Sequence, residues 1–179
     1  NENKVSPTKF KGQCPCGEVQ FDLVVNNWEE LTQIYCHCAD CRRWHSSPFV
    51  SEVILYKGSL KATKVRQKSK ILLTAITSEF NPKNDLIAIQ GQDSIVVRQQ
   101  TPTGCFRGFC KECGTRLTTG FGEEIPVEGF FPWLFPSFPF KASAHLHYNE
   151  RVVSVKDGLL KYKRSPPEFG GDCSDVLPE

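Results

Sequence analysis

A chain of 179 residues is long enough to build one ordinary domain around a real hydrophobic core. Its 39% hydrophobic and 23% charged residues are the proportions of a globular protein. A net charge of +2 leaves no electrostatic footprint for nucleic acid or an anionic membrane, and the apolar runs are too short to cross a bilayer as helices.

Residues 1–9 are polar, contain Pro7, and are predicted to form a flexible N-terminus. Gly12-Gln13-Cys14-Pro15-Cys16-Gly17 reads as a tight knuckle in which Gly17 is free to take a positive φ. Val19, Phe21 and Leu23 then alternate with Gln20 and Asp22, the pattern of a half-buried strand. Asn26-Asn27 interrupts it, and Ile34-Tyr35 leads into Cys36-His37-Cys38-Ala39-Asp40-Cys41 followed by Arg42-Arg43-Trp44-His45, where a short helical turn is expected.

Residues 49–56, 60–66, 71–77, 86–89 and 95–98 are strand-like, with turns at 58–59, 81–85 and 91–93. Phe109-Cys110-Lys111-Glu112-Cys113-Gly114 is a CxxCG turn, half of a zinc ribbon, and residues 116–119 read as another strand. From 121 to 140 phenylalanines and Trp133 interleave with Pro132, Pro136 and Pro139, which prevent a regular helix or central strand. Two readings fit that stretch: a loop packed over a sheet, or an aromatic wall or lid over a pocket that sets Phe131 and Trp133 against a substrate. Residues 145–148 and 152–155 are predicted as closing strands around an Asn149-Glu150 turn, and 166–179 as a C-terminal tail. Short strands at this spacing, with no long helical period, predict a single mainly β domain over 10–165 whose strands are mostly antiparallel.

Nine cysteines are the compositional outlier. An odd number, clustered as CxC, CxCxxC and CxxC, argues for metal rather than a disulfide framework, and cysteines one residue apart are poorly placed to pair. That usage favours a reducing compartment, in the simplest case a cytoplasmic one. The sequence contains no methionine, so residue 1 is not expected to be the natural start and a removed presequence stays open.

Seven of the cysteines sit in motifs, one short of two closed four-thiolate sites. Cys14 and Cys16 pair naturally with Cys110 and Cys113, each motif supplying half a tetrahedron. Cys36, Cys38 and Cys41 are then left as a three-thiolate set. Three ligands leave a position for water or substrate, the usual catalytic arrangement, whereas a fourth ligand from elsewhere would make the site a structural staple.

In that order, GxCxCGxVxF over 12–21, CHCxDCRR over 36–43 and FCxxCG over 109–114 resemble the glutathione-dependent formaldehyde-activating enzyme family and its centromere protein V relatives. Weaker matches are residues 145–148 and Asp157-Gly158-Leu159. The resemblance implies a β-tent fold with two zinc ions per chain. Cys14, Cys16, Cys110 and Cys113 would be structural ligands, and Cys36, Cys38 and Cys41 would surround the catalytic zinc. It implies a carbon–sulfur lyase that forms or cleaves S-hydroxymethylglutathione. Trp44 and His45 stand where relatives usually carry small residues, and the aromatic run replaces a stretch that is commonly acidic.

For such a reaction His45 is the candidate base, since it follows the ligands closely and an imidazole titrates near neutrality. Arg42 and Arg43 are candidates to clamp a substrate carboxylate, with Trp44 beside them. His37, between two ligands, is expected to point away from the metal. Cys105 reads either as a small buried hydrophobe or as a nucleophile or fourth ligand, and Cys173 as incidental. His145 and His147 are expected to share one strand face. The expected partner is a small molecule, glutathione or another thiol adduct, with neither nucleic acid nor membrane. Lys61, Lys64, Arg66, Lys68 and Lys70 read as a solvated basic face. The rival to the enzyme reading is a protein-binding module built on the zinc scaffold.

Overall fold

The computed structural model describes residues 7–56, 60–62, 84–99, 105–120, 127–166, 169, 171 and 176–177. In chain order the strands begin with β1 (Thr8–Gln13), β2 (Gln20–Val25) and β3 (Thr32–Cys36). After helix α1 (Ala39–His45) come β4 (Val50–Tyr56), β5 (Leu60–Ala62), β6 (Asn84–Gln90) and β7 (Ile95–Gln99). The remainder are β8 (Phe106–Cys110), β9 (Arg116–Gly120), β10 (Val127–Phe130), β11 (Ala144–Leu146) and β12 (Leu160–Lys161). The protein is mainly β, as its composition of short alternating segments predicts, and α1 stands where a helical turn was expected.

Two units divide the chain, one of Asn1–Leu31 with Ile54–Phe138 and the other of Thr32–Val53 with Pro139–Glu179. The first contains a sheet of order β1-β2-β6-β5 and a ladder of order β10-β9-β8-β7. Phe21, Leu23 and Val25 bury one face of β2, while β1 lies antiparallel to it from Thr8↔Val25 to Gln13↔Gln20. Thr8 and Lys9, placed by the sequence in the polar terminus, are therefore strand residues. Lys9 Nζ meets Asp22 Oδ2 across the ladder at 2.5 Å.

The aromatic run forms the core of this unit. Phe130 and Phe135 are fully buried and pack edge-to-face at 5.2 Å between centroids, and Phe138 meets Phe10 at 5.2 Å and Phe130 at 5.8 Å. Phe131 is buried too, whereas Trp133 is 71% exposed on a single 3-10 turn opened by Pro132. The prolines do prevent a regular helix, but β10 is a strand inside a stretch read as loop.

In the second unit the order is β12-β11-β3-β4. β11 runs parallel to both β3 (Ala144↔Ile34, His145↔Tyr35, Leu146↔Cys36) and β12 (Ala144↔Leu160). β5 and β6 are likewise parallel. Among the described ladders β1–β2, β2–β6, β7–β8, β8–β9 and β9–β10 are antiparallel, as expected of the chain, and the three parallel pairs join segments distant in sequence, a pairing that leaves no mark on local periodicity.

The closing segment differs from its sequence reading. The strand ends at Leu146, and His147 takes a left-handed φ of 53° before the turn Tyr148–Glu150, so His145 and His147 do not share a face. Residues 152–155 form no strand, and Val152 and Val153 are 61% and 49% exposed. The cause is local: Val155 N–H donates to Tyr148 Oη at 2.7 Å, and that hydroxyl donates back to Val155 O at 3.2 Å, which occupies the groups a ladder would use. Part of the predicted tail returns to this unit, with Val176 bridging Tyr162. The predicted strand over 71–77, most of the basic stretch and Cys173 lie outside the described residues. Among the described residues no helix is long and apolar enough to cross a membrane.

Gly91 provides a test of the packing around the first knuckle. Its φ is +72°, and a Cβ there would lie 2.0 Å from the Glu18 carbonyl oxygen. Gly91→Ala is expected to cost about 1–3 kcal/mol in chemical denaturation, since both the left-handed backbone and the clash oppose a side chain. Unchanged stability would mean that the Glu18 backbone yields freely.

Candidate metal centres

Two hairpin turns of the first unit are built to present sulfur. Cys14 and Cys16 lie between β1 and β2, Cys110 ends β8, and Cys113 lies in the turn to β9. In one knuckle Gly17 N–H donates to Cys14 O at 2.9 Å; in the other Gly114 N–H donates to Cys110 O at 2.8 Å. Both glycines have positive φ, 75° and 72°, which lets the chain turn tightly enough for the two thiols of each knuckle to converge. Val19 N–H donates to Cys14 Sγ at 3.3 Å, as expected of a sulfur that is to carry charge.

The four sulfurs lie within 4.8 Å of one another, with Cys14–Cys16 at 3.3 Å and Cys16–Cys110 at 3.8 Å. Thiolates about 2.3 Å from a tetrahedral zinc stand about 3.8 Å apart, so this set fits a closed zinc site. Without metal the group titrates unevenly. The Thr115 hydroxyl lowers Cys113 to about 6. Burial raises Cys110. At Cys16 a backbone hydrogen bond from Glu18 lowers the thiol, but hydrogen bonding with Cys14 and the other thiols raises it to about 12. Loading the group releases protons, so metal is held more tightly as pH rises.

The second group arises where β3 runs into α1. Cys36 is the last residue of β3, Cys38 caps the helix and accepts from Cys41 N–H at 3.3 Å, and Cys41 lies in its first turn. Their sulfurs also lie within 4.8 Å of one another. Cys36 and Cys41 are buried and Cys38 is half-buried, so the set is most open at Cys38. Three thiolates are a soft donor set suited to zinc.

The same three thiols share protons. Hydrogen bonds from Cys36 and Cys41 pull Cys38 well down, while hydrogen bonding with Cys38 raises Cys36. At Cys41 a lowering hydrogen bond from Cys36 is outweighed by Cys38, by burial and by the charge of Glu52, and the thiol is raised. They titrate as a unit.

Sequence reasoning missed Glu52, a glutamate only 3% exposed on β4. A charged residue flanked by Val50, Val53 and Ile54 in a strand was the available signal. His37, expected to point away from the metal, belongs to neither thiol group, and its side chain is fully buried beside the rings of Phe49, Tyr148 and His145.

The remaining candidates are placed as follows. His45 closes α1, one turn beyond Cys41, and joins neither thiol group. Arg42 Nε donates to His37 O at 3.0 Å, whereas the Arg43 side chain is 80% exposed and reaches Asp40 Oδ1 only at 3.9 Å. Trp44 is half-buried on the same helix. Cys105 is buried in the first unit with its sulfur 3.8 Å from Thr119 Oγ1, and it too belongs to neither group. Phe131 and Trp133 stand in that unit as described above.

Comparison with known proteins agrees with the motifs. Residues 9–75 match the family described as glutathione-dependent formaldehyde-activating enzyme, a span that holds the first knuckle and the three-thiol run. A Schizosaccharomyces pombe protein described as an uncharacterized lyase is 22% identical over 144 residues, 80% of this chain and 77% of that one. A Rhodobacter sphaeroides protein of known crystal structure aligns at 16% identity with a TM-score of 0.45, covering 71% of this chain and 88% of that chain.

Proposed function

This chain carries the glutathione-dependent formaldehyde-activating enzyme signature over residues 9–75, and on that premise we propose that it is a zinc-dependent carbon–sulfur lyase acting on a thiol adduct of the S-hydroxymethylglutathione type. The observation that carries the reading is a second thiol group that, among the described residues, has three sulfurs rather than four and is most open at Cys38. The lyase description of the fission yeast relative supports it at the level of reaction class. A protein-binding staple would call for a closed set, with Cys105 or His45 completing it, and among the described residues neither belongs to the group.

In this reading Cys36, Cys38 and Cys41 hold one zinc, and Cys14, Cys16, Cys110 and Cys113 a second, structural one. Zinc with an open position supplies Lewis acidity to a bound sulfur or oxygen. Cleavage then breaks the carbon–sulfur bond. The adduct's hydroxyl proton is lost, its carbon–oxygen bond becomes the carbonyl of formaldehyde, and the sulfur departs as thiolate and is reprotonated. His45 is proposed to accept the hydroxyl proton. Of the two arginines Arg43 is the freer to meet a substrate carboxylate, because Arg42 spends Nε on the His37 carbonyl. Trp44 is proposed as an apolar substrate contact.

The test joins metal content to turnover. The parent protein is expected to carry two zinc ions and to cleave S-hydroxymethylglutathione. Cys38→Ala is expected to keep one zinc and a folded chain while losing at least about a hundredfold in turnover. Two metals with no activity on a panel of thiol adducts would reject the lyase reading and leave the metal sites standing.

A further inference from the structure

The closing motif of the sequence, His145 with Asp157, has no place in the reaction outlined above, yet it ends at the metal loop. His37 Nε2 and His145 Nδ1 are 2.8 Å apart, and His145 Nε2 is 2.8 Å from Asp157 Oδ2. Asp157 Oδ1 accepts from Lys161 Nζ and from Leu159 N–H, each at 3.2 Å. Both imidazoles are fully buried and Lys161 is 5% exposed. A chain of charged and polar groups thus runs from a half-exposed carboxylate, through two rings, to the residue between Cys36 and Cys38.

The direction of the hydrogen bonds follows from the end of the chain. An ionised carboxylate only accepts, so His145 presents Nε2–H to Asp157, and a neutral His145 ring then accepts His37 Nε2–H at Nδ1. Each bond fixes the tautomer and the ring orientation of the next residue. Tyr35 lies 5.1 Å from the His145 ring, and Phe49 and Tyr148 lie 5.0 and 4.9 Å from the His37 ring, which closes off other orientations. The backbone of His37 is tied as well: its N–H donates to Leu146 O at 2.9 Å and its carbonyl accepts from Arg42 Nε.

We propose that His145 and Asp157 are positioning residues for the three-thiol centre, holding Cys36 and Cys38 at metal-binding spacing through His37. Burial alone does not account for them. Two imidazoles and an ammonium are costly to bury, and apolar side chains would fill the same volume without needing a partner for every polar atom. What the polar chain adds is a fixed orientation for the residue that separates two ligands. The inference rests on the reading of Cys36, Cys38 and Cys41 as a metal site.

The experiment is chelator competition on the full chain loaded with cobalt(II), with Cys38→Ala as the reference for the four-thiol site alone. Asp157→Ala is expected to weaken the second metal about 10–100-fold and to alter its cobalt–thiolate charge-transfer band, with the four-thiol metal held as in the parent. Asp157→Asn keeps an acceptor oxygen for His145 and is expected to fall between the two. If Asp157→Ala fails to fold, Asp157→Asn carries the test. A second metal held as tightly as in the parent, or equal weakening of both metals, would overturn the proposal. A parent that binds only one metal would instead overturn the two-site reading, and this inference with it.

Discussion

Cys110→Ser is expected to remove one of two bound metals and to lower the melting temperature by at least about 10 °C. Cys110 is completely buried, and it joins two hairpin turns 94 residues apart through the group it shares with Cys16. A structural zinc contributes several kcal/mol or more to the folding of the segments that hold it, because the ligand set does not exist in the unfolded chain. Serine at this position loses a ligand and leaves a hydroxyl in a site built for sulfur. The contrast with Cys38→Ala is informative: there the metal lost is the one at the half-buried group, and the melting temperature should fall much less. Calorimetry with metal analysis on both variants checks the ranking. If Cys110→Ser melts with the parent, the four thiols are not closing a structural site.

The two centres were legible in the sequence to different depths. Cysteine spacing identified which thiols meet, because a CxC or CxxC turn with a following glycine has few backbone conformations open to it. Gly17 and Gly114 take the positive φ that such turns need. The alternation around Phe21 gave β2, and the prolines of the aromatic run correctly ruled out a helix there. What local pattern could not reach were the partners of buried polar residues. His37 and His145 are 108 residues apart, and their meeting depends on β11 lying parallel to β3. Periodicity also failed at His147 and Val155, where a left-handed residue and one tyrosine hydroxyl replace the ladder that alternating residues suggest. Thr8 and Lys9 read as a polar tail because β1 turns only Phe10 and Gly12 inward.

The second large effect is expected at Phe135. This ring is 1% exposed and packs against Phe130 at 5.2 Å and Phe21 at 6.3 Å between centroids. Phe135→Ala is expected to destabilise the protein by about 3–5 kcal/mol, from lost burial and an unfilled cavity, and to lower the melting temperature by about 6–20 °C. The ring also explains the glycine opposite it. A Cβ on Gly12 would lie 2.5 Å from Cδ1 and Cε1 of Phe135, so β1 approaches this core closely only because position 12 has no side chain. Gly12→Ala alone should therefore cost about 1–3 kcal/mol by overpacking. In the Phe135→Ala background the same methyl enters space the ring has vacated, and most of that penalty should vanish. The double-mutant cycle is expected to return a coupling of about 0.5–3 kcal/mol. Simple additivity would mean that β1 shifts away from the ring at little cost, and that Gly12 answers to some other constraint.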